Sequence, residues 1–188
     1  MRSSLRALLV AVVAAGATAA AAAPGSHWTT LRRPLEVPRL APGAPCPASG
    51  IDASVDFARF GVGPGLGPGP VYPVGLADGT LELAPARNFG SRHWLGQKVL
   101  WFVHPRYRGP VLVRGRQLDG PARVRFERGD VPPLELRILP TQTVAWAGQP
   151  DGARGAPSYT RLRAPGCYGY QVDVATFSYV VVFRGVRG

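Results

Sequence analysis

At 188 residues, with 46 % hydrophobic side chains, the chain has the length of one domain and enough apolar surface for a single core. Its 22 basic side chains outnumber 11 acidic ones, and all but one of the basic residues are arginine, so the protein is attracted to anionic surfaces. Two cysteines and three histidines, with no C-x-x-C pair among them, argue against a metal centre, and no cofactor is expected.

The N-terminus has the three parts of an export signal in order. Arg2 and Arg6 make it positive, Leu5 and Ala7–Ala15 form an uncharged apolar run, and Ala19–Ala23 supply small residues for a signal peptidase. Residues 1–23 therefore read as a secretory signal peptide, cut between Ala19 and Ala23, and the product as secreted or cell-envelope associated. The alternative is an uncut anchor. The apolar span Ala7–Ala23 is at the lower limit for crossing a bilayer and is largely alanine, and no later stretch approaches membrane length.

Residues 24–47 read as an extended linker, because Pro24, Pro34, Pro38, Pro42, Pro45 and Pro47 oppose both helix and ladder pairing. Cys46 lies at its end. In an oxidising compartment Cys46 and Cys167 have one intramolecular pairing open to them; two free thiols or an intermolecular bond are the alternatives. The domain proper is expected over 48–188. Its first part includes the glycine-rich stretch Gly61–Pro70, which is a loop and not a phosphate cradle: Pro64 and Pro68 remove backbone amides, and no helix follows.

Short strands with turn signals between them account for the rest. Val71–Leu76 and Thr80–Leu83 flank Asp78-Gly79, a hairpin-type turn pair. Gln97–Val103, Pro110–Arg114, Ala122–Phe126 and Leu134–Leu139 follow, with Asp119-Gly120 between the second and third of these. Tyr159–Arg163, Cys167–Val174 and Phe177–Arg184 complete the series. No apolar pattern of helical period survives the glycine and proline spacing. Eight or nine such strands predict an all-β, immunoglobulin-like antiparallel sandwich, with a small barrel as the alternative. In Cys167–Val174 alternation puts Tyr168, Tyr170, Val172 and Val174 on the core face. Cys167 then falls on the polar face with Gly169, Gln171 and Asp173, so a bond to Cys46 would pin the linker to the outside or edge of the sheet.

Catalytic signatures are missing. There is no G-x-S-x-G elbow, and His27, His93 and His104 have no H-E-x-x-H spacing. Asp78, Asp119 and Asp151 precede glycines and read as turn residues. Trp101, in KVLWFV, reads as core; Trp94 and Trp101 as a sugar platform is the weaker alternative. The arginines are more suggestive. Arg106, Arg108, Arg114, Arg116, Arg123 and Arg125 form a candidate anion-binding patch, with Arg123 and Arg125 opposite Val124 and Phe126, and Arg114 and Arg116 on the same face if the two strands pair. A plain solvated strand face is the competing explanation. The expected partners are anionic cell-wall or membrane-surface polymers; nucleic acid is disfavoured, because no stacking motif is present.

APGCYGYQVDVATFSYVVVF at the C-terminus, Cys46-Pro47, GPVLVRGRQLDG at 109–120 and YTRLRAPG at 159–166 resemble a group of small exported bacterial proteins of actinobacterial type. The resemblance spans roughly 45–188. It implies an exported immunoglobulin-like sandwich with a Cys46–Cys167 bond, and no activity. The expectation is a non-enzymatic binding module; a hydrolase with a dispersed site and a purely structural accessory domain are the alternatives.

Overall fold

The computed structural model describes residues 26–144 and 152–188; the expected signal segment 1–23 and the turn residue Asp151 lie outside the described residues. Among the described residues nine strands make two facing sheets: β1 (Val71–Val74), β2 (Thr80–Leu83), β3 (Leu95–Val103), β4 (Val111–Gln117), β5 (Arg125–Phe126), β6 (Leu136–Ile138), β7 (Arg154–Leu162), β8 (Gly166–Asp173) and β9 (Ser178–Arg187). The orders are β1–β3–β7–β5 and β2–β9–β8–β4–β6. Each expected strand region overlaps one of these strands, and the chain is an all-β sandwich. Only β2 with β9 pairs in parallel.

The core lies where the period-two pattern puts it. Tyr168, Tyr170, Val172 and Val174 are fully buried and face Val99, Trp101, Val103 and Leu162 of the other sheet. Tyr170 is at its centre, with its ring 4.4 Å from that of Phe183 and edge-on to Trp101 at 5.0 Å. Its hydroxyl shares a 2.6 Å hydrogen bond with Thr160 Oγ1, which joins the sheets and satisfies both buried groups. Burial pushes the Tyr170 phenol up, so it stays neutral.

Two expectations are corrected. Asp78-Gly79 does adopt the left-handed turn conformation, at φ 49° and 74°, but it does not close a hairpin. Gly75, at φ 93°, and the buried Leu76 have already turned the chain across the sandwich, so β1 and β2 belong to different sheets.

The second correction concerns the segment before Cys46. Instead of running extended throughout, it begins with a short helix, α1 (Ser26–Leu31), and continues as a strap packed on the outward face of β8 and β9. Its prolines do keep it out of the ladder. Leu31 and Val37 are buried, and Val37 sits with Leu118, Cys167 and Val182. Gly169 makes this approach possible, since a Cβ there would lie 2.5 Å from Val37 Cγ1. The polar face of β8 therefore points outward, as expected, yet is covered. Gln171 Nε2 donates to Pro34 O at 2.8 Å, and Gln171 Oε1 accepts the Glu36 N–H at 2.7 Å. Fully buried Asp173 accepts from Arg114, Gln171 and Ser178, and Arg114 also donates to Arg33 O at 2.6 Å. The strap ends in the Cys46–Cys167 disulfide, with Cα atoms 5.4 Å apart, on the outside of the sheet and not between the sheets as in antibody domains. At its other end Arg32 forms a two-pronged pair with Glu135, joined by Arg137. These contacts hold the Glu135 carboxyl down at about 2.

The bond joins residues 121 apart in sequence. Replacing both cysteines by serine is expected to cost about 4–5 kcal/mol, from released chain entropy in the unfolded state, and to lower the urea midpoint. An unchanged midpoint would show that the strap is held without the bond.

Candidate functional site: a cationic cleft between strap and hairpin

Strand β4 continues past Arg116, turns at Asp119-Gly120 and returns through Ala122–Val124. Gln117 N donates to Ala122 O at 2.8 Å, and Val124 N to Gly115 O at 3.1 Å. This register sets Arg116 directly opposite Arg123, while Val124 is fully buried in the core. The strap supplies a third guanidinium. Leu40 N donates to Leu118 O at 2.8 Å, which seats Arg39 over the same hairpin. Arg39, Arg116 and Arg123 line one cleft of about 440 Å³.

Like charges directly opposite across two strands repel, and here a third is added. Burial, followed by Arg39 and then Arg123, lowers the pKa of Arg116. Arg116 Nε is buried without a hydrogen-bond partner. Among the described residues the ion pairs are Arg32–Glu135, Arg114–Asp173 and Arg137–Glu135, so none neutralises the cleft. Asp119 lines it as well, with Oδ2 accepting the Cys167 N–H at 3.1 Å and Oδ1 buried without a hydrogen-bond partner, so one carboxylate stands beside three guanidinium groups and outside ion-pair distance of them. The arrangement leaves unpaired N–H donors converging on one space, which is the chemistry of anion binding.

The six arginines singled out from the sequence are not one patch. Arg116 and Arg123 share the cleft. Arg125 sits next to it: β5 has crossed to the other sheet by pairing with β7, and Arg125 lies 5.0 Å over the Trp94 ring and donates to Pro132 O. Arg114 is withdrawn, locked between Asp173 and the strap. Its register explains this, because Arg114 lies opposite Gln171 of β8, whose side chain is bonded to Asp173. Arg108 approaches Gly152 and Arg154, and Arg106 lines a separate cleft with Asp52, Ser54, Tyr72 and His104. Two arginines were missed. Arg39 was assigned to the linker, and Arg163, stacked 4.7 Å over Trp94, lies just past β7. Only the tie to Cys46 hinted that the linker would be laid against the sheet. Trp94 is 5 % exposed and Trp101 is fully buried, so neither offers a free face for a sugar.

The His104 cleft places a histidine, a carboxylate and a serine near one another, but not as a nucleophile and its base. Ser54 Oγ donates to Asp52 Oδ1 at 2.6 Å, Tyr72 donates to Asp52 Oδ2 at 2.8 Å, and His104 Nδ1 accepts the Arg106 N–H at 3.2 Å. Burial, followed by Arg106, lowers the His104 pKa. His27 and His93 are exposed. Among the described residues no His, Cys, Asp or Glu cluster could hold a metal ion, and no helix is long and apolar enough to cross a membrane.

No family model, curated protein or solved structure matches the chain. No enzyme family is thereby indicated, and the geometry alone carries the functional reading.

An unfilled cluster of like charges costs stability. Arg123→Gln is expected to raise stability at low salt by about 0.2–1 kcal/mol, read as a higher urea midpoint, and added salt should narrow the gap to wild type. A lower midpoint would mean that Arg123 already has a compensating partner.

Proposed function

We propose that the protein is an exported, non-enzymatic β-sandwich that binds anionic polymers of the cell envelope. One observation carries this reading: Arg39, Arg116 and Arg123 converge on one cleft, and none of them has an ion-pair partner among the described residues. Guanidinium groups bind phosphate and carboxylate through paired, charge-assisted hydrogen bonds, and a cleft with protein walls screens them less than open surface does. The export-type N-terminus and the resemblance of the C-terminal hairpin to exported proteins support the location, and the disulfide is compatible with it. The arrangement around His104 favours no hydrolytic reading, because Ser54 is hydrogen-bonded to Asp52 and not to an imidazole.

The test is co-sedimentation with purified cell-wall material at low and high salt. Wild type should be retained at low salt and released at high salt. Arg116→Ala/Arg123→Ala should lose at least roughly tenfold in affinity, since each lost charge-assisted contact is worth about 1.5–3 kcal/mol. Retention that is indifferent to salt and to both substitutions would refute the reading.

A further inference from the structure

Three clefts adjoin in series, each sharing lining residues with the next. The first is the Arg39–Arg116–Arg123 cleft. The second, of about 520 Å³, shares Gln117, Pro121 and Arg123 with it and adds Arg125 and Arg163. The third, of about 530 Å³, shares Arg163 with the second and adds Arg87, Arg92 and Arg187. Each cleft passes to the next through an arginine that lines both. Among the described residues Asp119 lines the first cleft, Asp130 accepts from Ser91 and the Arg92 N–H beside the third, and none of these arginines is in an ion pair.

The middle of the series is held in place from beneath. The Trp94 ring lies under both Arg125 and Arg163, which orients two guanidinium groups over one rigid indole. Trp94 is fixed in turn by Arg161, which is fully buried and donates to the carbonyl oxygens of Trp94, Leu95 and Glu127. Gly96 leaves the space for Arg161, since a Cβ there would lie 2.7 Å from Arg161 Cδ. The charged groups of the track thus rest on a packed support.

Resting on the anion-binding reading above, we propose that these clefts form one continuous track for a linear phosphate-bearing polymer, whose successive charged groups occupy the clefts in turn. The series of shared arginines fits a repeating charge, which a single small anion does not supply. Guanidinium groups converging from three directions suit a tetrahedral phosphoryl group better than a planar carboxylate. With Trp94 buried under its arginines, the track has no free indole face on which a sugar ring or a base could stack, which disfavours acidic glycans and single-stranded nucleic acid.

Inorganic polyphosphates of increasing length are the probe, measured by calorimetry against pyrophosphate and tripolyphosphate. Affinity should climb with chain length as further clefts are engaged and level off once the track is filled. Arg87→Gln/Arg187→Gln should weaken long-chain binding by roughly tenfold and weaken pyrophosphate, which is short enough to be held by the first cleft alone, by a much smaller factor. Affinity that is independent of length, or long-chain binding unaffected by that double substitution, overturns the track. Tighter binding of a polygalacturonate of matched length overturns the phosphate assignment. If pyrophosphate binds in the first cleft with no gain from length, the track fails and the anion-binding function stands; if neither a phosphate species nor polygalacturonate binds, both fail.

Discussion

The buried carboxylate of Asp173 is the contact on which the outer architecture depends. It ends the core strand β8, yet it faces outward, where solvent should be, and has no exposed surface. Such a charge is tolerable only when paired and fully hydrogen-bonded, and removing a partner from a buried pair costs about 3–5 kcal/mol. Arg114, Gln171 and Ser178 meet that demand, and two of them also hold the strap, through Arg33 O and Pro34 O. The polar face of the sheet is thereby turned into a bed for the chain that precedes the domain. The Cys46–Cys167 bond fixes the far end of that chain.

The strap is also how the protein assembles its cationic cleft. Arg116 and Arg123 come from one hairpin, but Arg39 reaches them only because Leu40 is tied to Leu118 between the Asp173 network and the disulfide. Three like charges are thus held together by interactions elsewhere, a local conflict supported by the surrounding fold. Such conflicts mark places where a sequence satisfies something other than stability. Arg114 provides the internal comparison: it lies on the same strand, two residues before Arg116, and is ion-paired with Asp173, although its Nε, like that of Arg116, has no hydrogen-bond partner.

The nine strands and the core face of β8 were legible because period-two alternation and glycine–proline punctuation are local signals. The outward position of Cys167 followed from the same alternation. Three features were not legible. The turn at Asp78-Gly79 has hairpin chemistry, but which sheet a strand joins is a long-range matter, decided here by Gly75, by Leu76 and by the parallel seat beside β9. The strap looked like a linker, because six prolines signal only the absence of regular pairing and are silent on whether a segment packs. The arginine patch looked continuous along the chain. In space it divides: Arg106 and Arg108 lie before β4 and away from the cleft, Arg114 is held by Asp173, β5 takes Arg125 to the other sheet, and Arg39 and Arg163 join from the strap and the end of β7.

In the proposed function Arg39, Arg116 and Arg123 jointly hold one anionic group while Arg114 does not. The most direct measurement is an NMR titration of the arginine Nε–H resonances with pyrophosphate. The three cleft resonances should shift together along one saturating curve, and the resonance of Arg114, ion-paired with Asp173, should stay in place. Shifts that never saturate, or that are equal across all the arginines including Arg114, would contradict it and leave only diffuse attraction between a basic protein and an anion.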